Sequence, residues 1–329
     1  MLGKVSAILH GKTPPGVESD NCAARTARAS RLTTLTIYLG LGVAGLFLLA
    51  AALNGVQLSI RPGPVILTLV WVAALVIVRR RYRGPRREDR LATGAGAVLA
   101  LFAGGLAGGL VCLVGQTFAL PFIDPLLNRA DALLGFNAMS FLQGIISLPG
   151  LPALLVVAYN SSFPLIFLSV LFFAWTGRAQ RVWEICFAFN LCLGIVVISS
   201  ALFPATGPFL YQPIPLTLQR ALPPGAGTYY LGDLFALRGA KQFVIDPTRL
   251  QGVAVFPSFH TMLALITASG WRDVRRVRVP MAFWQGLVIL SALPIGGHYL
   301  TDLLAGAACW AMVYFVWEKA VLMRDPLSR

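Results

Sequence analysis

Long apolar runs alternate with short arginine-rich connections along this chain of 329 residues. A membrane-spanning helix needs about 20 apolar residues, and eight runs approach or exceed that length. They cover residues 33–53, 64–78, 91–120, 151–175, 182–203, 256–271, 280–294 and 299–317. The second, sixth and seventh runs are short, and the third is long enough to be tilted or broken. The pattern predicts an all-α polytopic membrane helix bundle with about eight transmembrane helices.

Composition supports a membrane protein. Hydrophobic residues make up 57% of the chain and charged residues only 12%, against roughly 25% charged residues in soluble domains. The net charge of +14 raises the question of nucleic-acid binding. The basic residues, however, lie between apolar runs, and the chain has no soluble basic face with interleaved aromatic residues. We therefore expect no nucleic-acid partner.

The basic residues also predict an orientation. They cluster in the N-terminal tail, after the second, fourth and sixth runs, and at the C-terminus. With eight spans, all five clusters fall on one side, which the positive-inside rule assigns to the cytoplasm. We expect a multi-pass protein of the plasma (inner) membrane with both termini cytoplasmic. Residues 1–32 would be a cytoplasmic tail and residues 33–120 the N-terminal transmembrane helices.

Two motifs mark the remaining segment, 121–329, as the catalytic membrane domain. The first is Phe-Pro-Ser-Phe-His-Thr at 256–261, and the second is Gly-Gly-His-Tyr-Leu-Thr-Asp at 296–302. They contain two of the three histidines of the chain. Each histidine lies where an apolar run begins on the extracytoplasmic side. Because hydrocarbon penalises ionisable groups, such residues are candidates for function.

The second motif has the spacing of a nucleophile and its orienting carboxylate. Residues four apart share one face of a helix, so Asp302 can accept the Nδ1 proton of His298. This contact would fix the imidazole tautomer and leave Nε2 with a free lone pair, as in the base–orienter pair of a catalytic triad. A His–Asp pair that only ties helices together has the same spacing.

The first motif predicts a helix N-terminus that can bind an anion. Pro257 suits the first turn of a helix, and the free amide groups near Ser258 favour a phosphate. A protonated His260 could give its proton to a leaving oxygen. A phosphate docked there would face His260 on one side and His298 on the other. Ser258 could instead be an ordinary N-cap.

The two motifs resemble those of the type-2 phosphatidic acid phosphatase superfamily. Residues 257–260 are similar to its PSGH motif, and His298 and Asp302 to the end of its SRxxxxxHxxxD motif. The resemblance implies that His298 forms a phosphohistidine, that Asp302 orients it and that His260 is the acid–base partner. It also implies that Ser258 binds phosphate and that no metal or cofactor takes part.

Departures from those motifs indicate a branch of the superfamily. Ser291 and Ala292 stand where the phosphatases have Ser-Arg, and the KxxxxxxRP motif is absent. The inositol phosphorylceramide synthase branch also lacks that arginine, and segments 131–136, 203–208 and 298–306 resemble it. A cation must still neutralise the phosphate. Lys241 and Arg249 are the predicted ligands, with Arg249 preferred because it lies nearest to Pro257; it could equally be a solvated loop charge. The other outer-side candidates are Arg220 and Arg238.

The expected function is therefore transfer of a phospho head group from a lipid to a lipid alcohol. The partners would be a lipid phosphate substrate and a lipid alcohol or water as acceptor. With water the enzyme would be a phosphatase of phosphatidic acid, a sphingoid phosphate or a polyprenyl pyrophosphate. A non-enzymatic transporter is disfavoured because the spans are nearly free of charge apart from Asp302 and Glu184.

Overall fold

The computed structural model describes residues 15–53, 62–83, 88–239 and 252–322. Within these ranges the chain forms helices and connecting turns, with no β-strand. The helices are α1 Pro15–Leu53, α2 Pro62–Arg83, α3 Asp89–Gln116, α4 Asp124–Leu133, α5 Ala138–Ser147, α6 Leu151–Trp175, α7 Ala179–Leu202, α8 Pro208–Tyr211, α9 Leu216–Arg220, α10 Leu231–Gly239, α11 Phe259–Gly270, α12 Arg278–Ala292 and α13 Leu300–Trp317. A π-helical turn, Glu318–Leu322, continues α13. The predicted all-α class is confirmed for this part of the chain.

Each of the eight predicted spans coincides with a helix. In the described ranges, six helices are long and apolar enough to cross a membrane: α1, α2, α3, α6, α7 and α13. The third run forms one unbroken helix of 28 residues. Helices α11 and α12 have only 12 and 15 residues, fewer than the roughly 20 that a span needs. The count of eight, and the orientation that depends on it, stay predictions.

Helix α7 lies at the centre of the bundle. It packs against α1, α3, α6, α11 and α13. Small residues on α3 allow a close approach to α7. A Cβ atom added at Gly108 would lie 2.6 Å from the Leu193 side chain, and one at Gly115 would lie 2.6 Å from that of Ala201. Two apolar helices can therefore come together along a line of small residues.

An ion-pair cluster closes one end of this bundle. Glu184, in the first turns of α7, accepts hydrogen bonds from Arg181 at 2.6 Å and from Arg272 at 2.7 Å. Arg181 also pairs with Asp273. Arg272 and Asp273 follow the C-terminal end of α11, whereas His260 lies in its first turn. The predicted catalytic histidine and the arginine cluster thus lie at opposite ends of the same helix.

Short helices cover the histidine end of the bundle. Helices α4 and α5 are joined by a turn in which Gly135 has φ +72°. Helices α8, α9 and α10 follow α7 on the same side. The predicted boundary at residues 32–33 falls inside α1, where the polar part of the helix continues into the apolar part. The boundary at 120–121 falls in the connection between α3 and α4.

Candidate active site

The predicted contact between His298 and Asp302 is present. His298 Nδ1 lies 3.2 Å from Asp302 Oδ2, and both side chains are buried. Helix α13 begins at Leu300 rather than at His298, with Tyr299 as its N-cap. The contact forms because Asp302 turns back toward the N-cap, where its Oδ2 also accepts the Tyr299 amide hydrogen at 2.9 Å.

This geometry determines which imidazole nitrogen is available. With Asp302 as acceptor, His298 carries its proton on Nδ1 and presents Nε2 as the free nitrogen. In the described part of the chain, no hydrogen bond to Nε2 competes with a ligand. The arrangement can therefore support nucleophilic attack by Nε2, with the carboxylate stabilising the positive charge that develops on the ring.

Glycine is required in the loop that carries His298. Gly297 has φ +71°, a conformation that L side chains rarely adopt. A Cβ atom there would also lie 2.5 Å from the Gly227 carbonyl oxygen. The Gly227 amide donates to the Ile295 carbonyl at 2.8 Å. The His298 loop is thus held backbone to backbone against the segment that follows α9.

A distant carboxylate caps the helix that carries Asp302. Asp131 of α4 accepts hydrogen bonds from the Leu300 amide at 2.9 Å, the Thr301 amide at 2.8 Å and the Thr301 hydroxyl at 2.6 Å. Its side chain is buried, at 2% exposure. A negative charge is favoured here because the first amides of a helix have no intrahelical partners and lie at the positive end of its dipole.

A second buried carboxylate, Asp124, joins three segments. It accepts hydrogen bonds from the Thr206 and Gly207 amides, each at 2.9 Å, and from the Tyr299 hydroxyl at 2.9 Å. The Tyr299 hydroxyl is the donor in this contact, because a carboxylate can only accept. Asp124 thereby holds Tyr299 in place, and the amide of Tyr299 donates to Asp302.

No site role for Asp124 or Asp131 was predicted from the sequence. The signal that could have identified them is their spacing on α4, because residues seven apart lie on the same face of a helix. The partners themselves, on α13 and after α7, are not encoded locally.

Ser258 is an N-cap. Its Oγ accepts the Thr261 amide at 3.4 Å at the start of α11, and the residue is fully buried. The Ser258 amide donates to the Asp302 carbonyl at 3.0 Å, and a Cβ atom at Gly306 would lie 2.6 Å from the Ser258 carbonyl oxygen. These contacts join the N-terminal ends of α11 and α13. The phosphate-binding role of Ser258 stays a prediction.

His260 lies in the first turn of α11 and is half-buried. Its ring stacks on Tyr159 of α6, with centroids 3.9 Å apart and planes 19° apart, and meets the edge of Phe163 at 6.1 Å. The Tyr159 hydroxyl lies 2.9 Å from the Tyr229 hydroxyl. Tyr159 thus holds the plane of the imidazole and was not identified from sequence, since the contact joins two helices.

One cavity brings the two histidines together. It has a volume of about 1050 Å³, and both His260 and His298 line it. Polar groups of Tyr159, Asn160 and Tyr229 lie in its wall, while most of the remaining surface is hydrocarbon from α3, α6 and α7. Both imidazoles therefore border one space whose wall is mostly apolar.

The predicted cations do not lie in the described part of this cavity. Lys241 and Arg249 fall within residues 240–251, outside the described residues; Gly252, which follows them, lines the cavity. Arg220 is exposed at the end of α9. Arg238 donates to the Leu120 carbonyl and lies over the Phe122 ring at 3.9 Å. Among the described lining residues, none is a lysine or an arginine.

Across the described ranges, no three His, Cys, Asp or Glu side chains are grouped so that they could hold a metal ion.

Comparison with known proteins identifies the family. A family model described as the PAP2 superfamily matches residues 126–316, more than half of the chain. The chain therefore belongs to the PAP2 superfamily, whose members are generally phosphatases and phosphotransferases. This confirms the predicted superfamily, while its inositol phosphorylceramide synthase branch stays a prediction. Searches of curated proteins and of solved structures gave no match.

Proposed function

We propose that this PAP2-superfamily protein is an integral membrane phosphotransferase that acts on lipid phosphate esters through a phosphohistidine at His298. One observation carries the proposal: the imidazoles of His260 and His298 line a single cavity whose other walls are mostly hydrocarbon. Superfamily membership supports chemistry on a phosphate ester, and the hydrocarbon wall supports a lipid as the molecule that carries it.

In the first step, Nε2 of His298 attacks the phosphorus atom of the lipid ester. A P–N bond forms and the P–O bond to the lipid alkoxide breaks. The negative charge of the bound phosphate favours the protonated form of His260, which gives its proton to the departing oxygen. Asp302, at 3.2 Å from Nδ1, stabilises the positive charge on the phosphorylated ring. The product is a lipid alcohol and a phospho head group bound to His298.

In the second step, an acceptor hydroxyl gives its proton to the now neutral His260 and attacks phosphorus. The P–N bond breaks, and His298 and His260 return to their starting protonation states. Because the phospho head group stays on His298 between the two steps, the acceptor need not be bound while the donor reacts. Either a lipid alcohol or water can complete the cycle.

The negative charge of the phosphate needs compensation during both steps. The Phe259 and His260 amides at the start of α11 have no intrahelical partner, whereas Ser258 caps the Thr261 amide. They support an anion-binding role for this helix end. We propose Arg249, and next Lys241, as the cations, because their segment leads directly into Gly252 in the cavity wall.

Two observations favour a lipid alcohol over water as acceptor. The cavity wall is mostly hydrocarbon, which suits an apolar acceptor. The second observation concerns segments 131–136 and 203–208, which resemble the inositol phosphorylceramide synthase branch. Asp131 caps α13, the helix that follows His298, and the Thr206 and Gly207 amides donate to Asp124. We propose an extracytoplasmic site, since His260 lies at the opposite end of α11 from Arg272.

The test is an acceptor-dependent assay with purified protein in liposomes. The substrates are phosphatidylinositol and phosphatidic acid, each labelled with radioactive phosphorus, with and without ceramide or a diacylglycerol of different acyl chains. The proposal expects label in a new lipid that forms only when the acceptor is present. Label released as water-soluble phosphate regardless of acceptor would identify a phosphatase instead. Absence of any turnover of both lipids would overturn the proposal.

A further inference from the structure

We infer that helices α1, α2 and α3 form the hydrocarbon-chain site of the substrate, so that the enzyme selects long-chain lipids. The inference rests on the proposed function, because the chain-binding site is the continuation of the cavity that holds His260 and His298. It concerns a part of the protein that lies before the family segment, which begins at residue 126.

The cavity extends beyond the family segment into the N-terminal helices. Leu48 of α1, four residues of α2 between Pro64 and Leu69, and a strip of α3 from Leu101 to Cys112 contribute to its lining. This strip consists of apolar side chains and glycines. A phosphate bound at the imidazoles therefore has a continuous apolar space on the side of these helices.

Helix α2 forms an outer wall rather than part of the packed core. None of its residues is buried, and its main packing partner is α3. Trp71 of α2 meets Phe102 of α3 edge to face, with centroids 4.7 Å apart. On this side, the single helix α2 separates the cavity from the surroundings of the protein. An acyl chain of a membrane lipid suits this space, because both the cavity surface and the surroundings are apolar.

The size of the cavity fits more than a phosphorylated head group. A cavity of about 1050 Å³ lies just above the range of roughly 300–1,000 Å³ typical for small-molecule sites. An acyl chain that moves from the bilayer into this cavity exchanges one apolar environment for another, so its binding depends on how well the chain fills the cavity and packs against the wall. The cavity should therefore distinguish lipids by chain length, even when their phosphate groups are identical.

Gly105 offers a direct probe of this site. It lines the cavity, and a Cβ atom there would meet only Phe189, at 4.0 Å. A leucine at this position would extend into the cavity without a backbone clash. Gly286 of α12 is the matched control, since it is also a helical glycine, does not line the cavity and has no neighbour within 4 Å of an added Cβ.

The first experiment compares dioctanoyl and dioleoyl phosphatidic acid, and the same pair of phosphatidylinositols. For Gly105→Leu we expect the ratio of kcat/KM for the long-chain over the short-chain lipid to fall by at least about tenfold. Gly286→Leu should leave both this ratio and the activity unchanged. Thr68→Trp, which narrows the cavity from α2, should act like Gly105→Leu. Unchanged ratios in both cavity variants would overturn the inference while leaving the proposed phosphotransfer intact.

The second experiment does not depend on catalysis. His298→Ala protein is mixed with phosphatidic acid that carries a diazirine at the end of one acyl chain, irradiated and mapped by peptide mass spectrometry. We expect adducts in α2, in α3 or near Leu48 of α1 that unlabelled dioleoyl phosphatidic acid competes away. Competable adducts confined to other helices would overturn the chain-site assignment, whatever the assays reveal about the reaction.

Discussion

Asp131 of α4 binds Thr301 of α13 through both the amide and the hydroxyl of that threonine, although the two residues are 170 positions apart. The carboxylate thus caps the helix whose third residue is Asp302. Since Asp302 contacts His298 at 3.2 Å, Asp131 acts as a positioning residue for the proposed nucleophile. Its contribution runs through the start of α13 and requires no contact with substrate.

Asp131→Asn tests this positioning role. The amide keeps one acceptor oxygen but places a donor group against the helix amides, and loss of a good N-cap costs about 1–2 kcal/mol. We expect a lower melting temperature and a lower kcat, with KM little changed. Asp89→Asn is the control, because Asp89 also lies in the first turn of a helix but is exposed. Equal behaviour of the two variants would contradict the role.

Tyr299→Phe tests the link to Asp124. Removing the hydroxyl leaves the ring in place but deletes the 2.9 Å hydrogen bond, and a buried carboxylate then loses a donor, which costs about 1–3 kcal/mol. Thermal unfolding of purified protein should show this loss. Tyr211→Phe, at an exposed tyrosine, should be neutral. A melting temperature that falls equally in both variants would indicate no special contact.

Tyr159 is expected to act through its ring. Tyr159→Phe keeps the surface that stacks on His260 at 3.9 Å, whereas Tyr159→Leu removes it. We predict that the leucine variant loses about tenfold or more in kcat/KM, since misplacement of a general acid weakens proton transfer, and that phenylalanine restores most of it. If the two variants lose activity equally, the hydroxyl contact with Tyr229 matters more than the stacking.

Gly306 tests the junction of the two motif helices. Gly306→Ala would bring Cβ within 2.6 Å of the Ser258 carbonyl oxygen, so α11 and α13 must separate. We expect lower stability and lower activity together. Gly286→Ala is the control, for which we expect unchanged activity and equal or higher stability. Its Cβ meets open space, and alanine favours a helix over glycine by up to about 1 kcal/mol. Normal activity in Gly306→Ala protein would mean that this junction does not set the site.

Local patterns account for what the sequence could predict. The apolar runs predicted the helices because the period and length of a span are local properties. The His298–Asp302 contact was predictable because it joins residues four apart. The position of this contact at the helix start could not be predicted, because α13 begins only at Leu300 and Asp302 turns back toward the N-cap residue Tyr299. The PAP2 motifs likewise predicted the superfamily because they are contiguous.

Contacts between distant segments account for what the sequence could not predict. The cap from Asp131 and the stacking of Tyr159 on His260 depend on how helices pack, and neither has a local signature. Ser258 illustrates the same limit: its type and position suit both a phosphate ligand and an N-cap, and the described contact is with the Thr261 amide. The predicted cations, Lys241 and Arg249, lie outside the described residues.

Trapping the phosphorylated protein tests the central claim most directly. Wild-type protein is mixed with phosphatidic acid labelled with radioactive phosphorus, quenched in alkali within the first turnover and digested for mass spectrometry. The account predicts an acid-labile, alkali-stable phosphoryl group on His298, absent from His298→Ala protein, whose turnover falls by at least about two orders of magnitude. Undiminished turnover in His298→Ala protein, or a phosphoryl group on another residue, would contradict it.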